Sequence, residues 1–573
     1  MPEHSRDAGR LLAQLDSLKN RFDPGHAARV AALLTRLARI QFQNPSDLIR
    51  FHEILLFLRA FPHAPPQVST VERLLNTFHS RVQPLRDADM SLFDDFDTSG
   101  IAGTVMQDTL SYDVAQWLAR RIPRNVDIAW QDYWDDFAAE RSRGATWPRF
   151  IPLLAEDADV EANIPWSRWL DAARGRHQAL PWILERFSPL SLPPRQRSEL
   201  YDSLRIPIRW RLENLKLTRT RNWSRPRRFY FHDAPLIERR DVSLKAELSK
   251  PAPRFLKLSR VQGEAVMHAI REIMLVRYRE LYGTTLGDPR TVVRADLGRG
   301  VVMHFWGLPP ERRLPLRAYL AGYTLKNGVP INYIEAIGLC EWIEVGFNTF
   351  YTYRQGETAW IYAQALRCLH ALTGATTISI YPYQIGDNND EAIDSGAFWF
   401  YRKLGFHSGR PDLRALCERE ERRIAANPGY RTPPRTLKRL ARAHMFYDLP
   451  GKPSANAWSN FSVRNIGLSI NRRMAKEFAG DSERMRSQAV RNLARILRVN
   501  LSSLTRTEIQ SFENWSLVLA RIPGLPRWSA SEKQQLVRIL RSKSARNEVS
   551  YLRLTQKLPR LRSEILRLGS PHA

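Results

Sequence analysis

The chain reads as an α/β protein of the α+β kind, with a central mixed sheet flanked by all-helical N- and C-terminal regions. Three observations predict this. Residues 259–410 alternate strand-like runs with runs of helical period. Before and after them, leucines and isoleucines recur at helical spacing. Asn427-Pro428-Gly429 and Thr432-Pro433-Pro434 then break the pattern behind the alternating stretch. At 573 residues the chain is too long for one ordinary core, and roughly three to four folded units are expected.

The elements follow in order. Leu11, Leu12, Leu15 and Leu18 share one helical face; Val30, Leu33, Leu34, Leu37 and Ile40 share another. Asn44-Pro45-Ser46-Asp47 opens a third helix, and Ser69 with Glu72 has the spacing of a capping box. From Asp87 to Pro194 the helical pattern is rich in tryptophan (Trp117, Trp130, Trp134, Trp147, Trp166, Trp169, Trp182), a composition suited to core packing or to base stacking. The N-terminal region thus spans 1–195, and a basic, aromatic connecting segment spans 196–258. In residues 259–410, helices are expected at 261–282, 357–372 and 390–404. Strands are expected at 292–296, 301–306, 319–325, 331–339, 341–353 and 376–381. A linker at 411–440 leads to a basic helical region at 441–573, with a second capping-box spacing at Ser529 and Glu532.

Charge narrows the partners. Lys plus Arg number 87 against 59 Asp plus Glu, a net charge of +28 and a pI of about 10.4. Such an excess suits polyanions, whether RNA, DNA, an anionic surface or a phosphorylated cofactor; an arginine bias spread over solvated helix faces accounts for it equally. In 201–248 cations and aromatics interleave. Arg221, Arg225, Arg227 and Arg228 stand among Trp223, Phe229 and Tyr230, so this segment is the candidate RNA contact or a connection whose aromatics dock onto neighbours. Three cysteines, Cys340, Cys368 and Cys417, make neither a disulfide framework nor a four-thiolate zinc site, and no metal is expected. The N-terminus shows no apolar leader and no run long enough to span a bilayer, as expected of a cytoplasmic protein.

Two segments carry a family resemblance. Asp394-Ser395-Gly396-Ala397-Phe398-Trp399-Phe400-Tyr401-Arg402-Lys403-Leu404-Gly405-Phe406 resembles the closing signature of GNAT-type N-acyltransferases. Ala397, Tyr401, Lys403, Leu404, Gly405 and Phe406 fall in step with it, while Asp394 stands where the family usually has Asn. Residues 341–372 lie in the position of that family's acyl-CoA pyrophosphate motif, with Arg354 at its first position and Ala359 at its last. Glu357 occupies the middle glycine and Gly356 is displaced by one. The resemblance covers about 150 to 170 residues. It implies an acyl-CoA co-substrate held by Arg354, Gln355, Gly356, Thr358 and Ala359, and Tyr401 as the acid that protonates the departing thiolate.

The residues themselves add a base. In a strand over 341–353, Trp342, Glu344, Gly346, Asn348 and Phe350 share one face, away from the core-like Ile343, Val345 and Phe347. Amine acylation needs a proton acceptor for the incoming ammonium, so Glu344 is the candidate base and Asn348 a candidate substrate contact. A structural ion pair for Glu344, and packing beneath Phe406 for Tyr401, are the competing readings. The leading expectation is transfer of an acyl group from acyl-CoA to an amine. The alternatives are a transferase of the same fold that uses aminoacyl-tRNA, and an inactive RNA- or protein-binding scaffold. Other signals are weaker. Asp95-Phe96-Asp97-Thr98-Ser99-Gly100 starts like an EF-hand loop, but Met106 stands at its twelfth position. Ser99–Thr104 lacks a P-loop ending, and His232-Asp233 has no second ligand cluster.

Overall fold

Twelve strands form two sheets in the computed structural model, which describes residues 3–85, 89–158, 166–452 and 455–571. In chain order they are β1 (Val105–Thr109), β2 (Val126–Ile128), β3 (Pro207–Arg211), β4 (Phe255–Lys257), β5 (Val293–Asp296), β6 (Val301–Gly307), β7 (Ala318–Lys326), β8 (Val329–Leu339), β9 (Trp342–Thr349), β10 (Thr377–Ile380), β11 (His407–Ser408) and β12 (Met445–Asp448). The larger sheet has nine strands in the order β11-β12-β10-β9-β8-β7-β6-β5-β4. Neighbours pair antiparallel except β9 and β10, which run parallel across the Thr358–Thr373 helix. Helices lie on both sides in sequence, as the fold class requires.

Local chemistry explains the central strands. β7 and β8 meet at Asn327-Gly328, both at positive φ (48° and 78°), the backbone a two-residue hairpin turn demands. β7 is buried along nearly its whole length because both of its faces are covered, and it reads as a continuous apolar run. β9 pairs with β10 only through Trp342↔Thr377, Ile343↔Ile378 and Glu344↔Ser379. Beyond that point β9 continues to Thr349 against β8 alone, because β10 ends one residue later, at Ile380.

The expected segments from 292 to 380 lie within a residue or two of the observed strands, save that the long strand expected at 341–353 ends at Thr349 and gives way to a 3₁₀ turn, Tyr351–Tyr353. The helix expected at 261–282 stops at Leu275, and the one expected at 390–404 is two short helices broken by Gly396 at φ 70°. Three corrections concern the flanks. The N-terminal region is not all helical: β1, β3 and β2 form a three-stranded antiparallel sheet within it and the connecting segment. Residues 411–440 are not a plain linker, since they hold the Pro411–Ala426 and Pro434–Leu440 helices. The region after 441 is not all helical either, because it supplies β12, which inserts between β10 and β11. The Ser69 capping box is absent, because Pro65 and Pro66 start the helix earlier, at Pro65–Asn76. The Ser529–Glu532 box is present, with both reciprocal bonds.

Two hydrophobic cores result. One joins the N-terminal helices, the large sheet and the C-terminal helices; the other packs beneath the small sheet. Trp117, Trp147, Trp182 and Trp210 are buried in the second core, which takes these indoles out of any base-stacking role. Trp166 has a side chain outside the described residues, as does the whole of Asp87. The cores are tied together at Glu53. Its carboxylate accepts from Arg219 at 2.7 Å, from Thr352 in the turn after β9, and from the ring of His52 at 3.0 Å. Arg219, itself buried, also donates to the carbonyls of Asp97 and Ser99. The EF-hand-like segment is thus an Asx turn stapled by an arginine, with Asp97 N–H bonded to Asp95 Oδ1. Gly100 lets the adjoining loop approach Val276, whose carbonyl oxygen lies 2.4 Å from where a Cβ would be.

Burial alone would raise the Glu53 carboxyl, but Arg219, His52 and Thr352 hold it near 2 against an ordinary 4.5. A carboxylate depressed on folding stabilises above its unfolded value and loses that contribution as pH falls through the folded one. The shift amounts to about 3 kcal/mol. Denaturant titrations from about pH 5 to about pH 3 are therefore expected to show a steep loss of stability in the native chain, and a shallower one in Glu53→Gln, which is already destabilised by about 3 kcal/mol because Arg219 stays buried without its counter-charge.

Candidate functional site

The Thr358–Thr373 helix begins at a cavity of about 480 Å³. Its walls are Arg354, Gln355, Gly356, Thr358 and Ala359 from the turn and first helical residues, Pro235 to Arg240 from the connecting segment, Asn20 and Phe400. All five residues expected to hold the co-substrate therefore line one opening. The first intrahelical bond runs from Ile361 N–H to Glu357 C=O, which leaves the N–H groups of Thr358, Ala359 and Trp360 at the positive end of the helix. Arg239, Arg240 and Arg354 add cations. Arg240 is shared with Glu238, and Arg354 lies over Tyr351 while bonding Glu391 at 2.5 Å.

Glu357 does not obstruct this opening. Its side chain turns inward and is wholly buried. It bonds Arg299, lies 3.3 Å from Lys326 Nζ, and accepts from the Ile237 N–H at 3.3 Å. Burial would raise its carboxyl, yet Lys326 and Arg299 hold it below the ordinary value. Burial, with Lys326 alongside, pushes His232 down to about 3, so that ring is neutral and belongs to this cluster and to no metal site. No group of side chains among the described residues is arranged to hold a metal ion. Gly356 is displaced from the expected motif for a packing reason: a Cβ there would lie 2.6 Å from the Phe61 ring.

A second cluster sits where the β9–β10 ladder ends. Glu344 Oε2 lies 2.9 Å from His444 Nε2, the residue just before β12. Since a carboxylate only accepts, the ring carries its proton on Nε2, and the neutral tautomer keeps its lone pair on Nδ1. Tyr381 meets the His444 ring edge-on at 5.4 Å and is half exposed. Gln384 crosses the opening, its Nε2 3.0 Å from where a Cβ on Gly346 would be. Its Oε1 is buried without a hydrogen-bond partner among the described residues. Asn348 lies further along the same face and donates to the Tyr333 hydroxyl at 3.2 Å, a bond shared with Arg279.

Tyr401 does not line the cavity. Its ring packs against Tyr362, Phe400 and Phe406, it is 5% exposed, and burial pushes its phenol upward. Phe400 takes the place at the opening. The expected basic segment is likewise divided. Arg225, Arg227 and Arg228 are exposed and Arg221 bonds Asn214, but the aromatics are used in packing. Trp223 donates to the Asn327 carbonyl, and Tyr230 lies beneath Lys326 and Arg299. Sequence reasoning missed His444, Tyr381 and Gln384. No short motif marks them, because each acquires meaning only when β12 and β10 are placed beside β9.

Compared with known proteins, the chain matches no family model, no curated sequence and no solved structure. No helix among its described residues is long and apolar enough to cross a membrane.

Replacing Glu357 by Gln removes the counter-charge of a fully buried lysine. A loss of about 3–5 kcal/mol in denaturant titrations is expected. Glu391→Gln, which frees Arg354 on the surface, is expected to cost less than about 1 kcal/mol.

Proposed function

We propose that the chain is an N-acyltransferase of the GNAT type, which moves an acyl group from acyl-CoA to an amine. The observation that carries this reading is a parallel strand pair, its ladder ending at Glu344, joined by a helix whose N-terminus opens on an arginine-lined cavity. The two segments that carry the resemblance are joined through β10: β9, helix, β10 and two short helices follow in chain order, the second holding Tyr401. Phosphates suit the cavity, since helix N–H groups and Arg239, Arg240 and Arg354 converge there and Glu357 is neutralised inside.

The chemistry the side chains supply is proton transfer. The amine reaches the thioester as ammonium and must lose a proton before its nitrogen attacks the carbonyl carbon. His444 Nδ1 takes that proton, and Glu344 holds the ring in the required tautomer and stabilises the imidazolium. As the new C–N bond forms the C–S bond breaks; the thiolate leaves with the bonding pair and takes up the second proton that the nitrogen releases on becoming an amide, while the first stays on His444 until it passes to solvent. Glu344 thus acts through His444. Gln384 Oε1, which has no hydrogen-bond partner among the described residues, is the acceptor this reading assigns to the amine. Tyr401 packs the helix beneath Phe406 and serves no proton step.

Acetyl-CoA is expected to raise the melting temperature, and Arg354→Ala to reduce that shift. His444→Ala is expected to lower kcat by about 10²-fold or more, while Tyr401→Phe changes it less than about threefold. A steady-state assay against a panel of amines reads both, and an inactive Tyr401→Phe with a fully active His444→Ala would reverse the assignment.

A further inference from the structure

The Pro434–Leu440 helix presents an unusual face. Arg435, Lys438, Arg439 and Arg442 are all exposed and, with Pro434, are the whole lining of a concavity of about 580 Å³. Lys438 pairs with Asp390 at 2.7 Å. Arg435, Arg439 and Arg442 have no carboxylate within ion-pair distance among the described residues. Like charges three and four residues apart on a helix repel, so this face lacks an internal electrostatic reason to exist. Arg442 is two residues from His444, whose ring contacts Tyr381, and a Cβ on Gly386 would come within 3.7 Å of Ala441. The segment that carries the concavity thus packs through Ala441 against Gly386, which ends the 3₁₀ turn Pro382–Ile385; Tyr383 in that turn and Tyr381 just before it are exposed (53% and 49%).

We propose that this face holds a single-stranded nucleic acid, its phosphates on Arg435, Arg439 and Arg442 and its bases stacked on Tyr383 and Tyr381. A concave cationic track beside exposed aromatic rings is what a flexible strand needs. An anionic bilayer is flat and draws on exposed aliphatic or indole groups, which this face does not offer. Arg442 is followed two residues on by His444, so in this proposal the end of the strand is directed toward the Glu344–His444 pair. An amine on that nucleotide would be the acyl acceptor; this last clause rests on the transferase reading, whereas docking of the strand does not.

Fluorescence anisotropy of the full chain with labelled oligoadenylate of about a dozen nucleotides, as RNA and as DNA, tests the proposal. Binding should weaken with salt. Replacing Arg435 and Arg439 by Ala should lower the magnitude of the log–log salt slope by roughly 1.4, the share of two phosphates on a single strand. Tyr383→Ala should weaken binding about tenfold with the slope unchanged. Either sugar supports the docking, and a preference between them assigns it. Absence of binding to both oligonucleotides overturns the proposal. So does binding indifferent to these substitutions, or binding to phosphatidylserine vesicles with none to oligonucleotide. The acetyl-CoA melting shift of the same variants should equal that of the native chain, and its loss with Arg354→Ala scores the transferase reading independently.

Discussion

A single buried charge organises the functional end of the molecule. Glu357 stands at the start of the Thr358–Thr373 helix, where an ordinary capping residue would be, yet it reaches inward to Lys326 at the end of β7 and Arg299 in the turn before β6. Its carboxylate also takes the Ile237 N–H, which draws the connecting segment over the helix. The cavity wall that carries Arg239 and Arg240 follows directly from that bond. An unpaired carboxylate there would be prohibitive, and a pair without further hydrogen bonds barely neutral. The Ile237 N–H and the Arg299 fork satisfy the lone pairs that Lys326 alone would leave unmet, so the helix start is fixed in position by its own counter-ions.

The sheet from 292 to 380 was readable because β6, β7, β8 and β10 are buried almost throughout and Gly or Asn turns precede β6 and β8. What escaped the reading obeys different physics. β1, with Val105, Met106, Gln107, Asp108 and Thr109, is half exposed and embedded in tryptophan-rich helical text; its strand state comes from pairing with β3 a hundred residues on. β2 and β4 have three residues each, too few to show a period. The Ser69 box failed because a prolyl pair upstream already fixed the helix start, whereas Ser529 follows a 3₁₀ turn and has no such competitor.

The site divides along the same line. Arg354 to Ala359, singled out through the family resemblance, form one contiguous turn and line a single opening. Glu344 was legible from alternation along β9. His444, Tyr381 and Gln384 were not, because their relation to Glu344 is a property of strand order. Tyr401 shows what a pattern match leaves out. The residue's place in the helix was legible from the sequence, whereas the enclosure of its ring by Tyr362 and Phe406 depends on tertiary packing.

β12 follows both β10 and β11 in sequence yet lies between them in the sheet. During synthesis, a ribosome that has delivered the chain only through Leu440 holds a sheet with one open edge at β10, the kind of surface that invites mispairing. The arrival of residues 445–448 seals that edge and in the same movement brings His444 to Glu344, a hundred positions earlier in the chain. Assembly of the Glu344–His444 pair and closure of the β10 edge are one event, so a nascent polypeptide still exposing that edge carries no such pair.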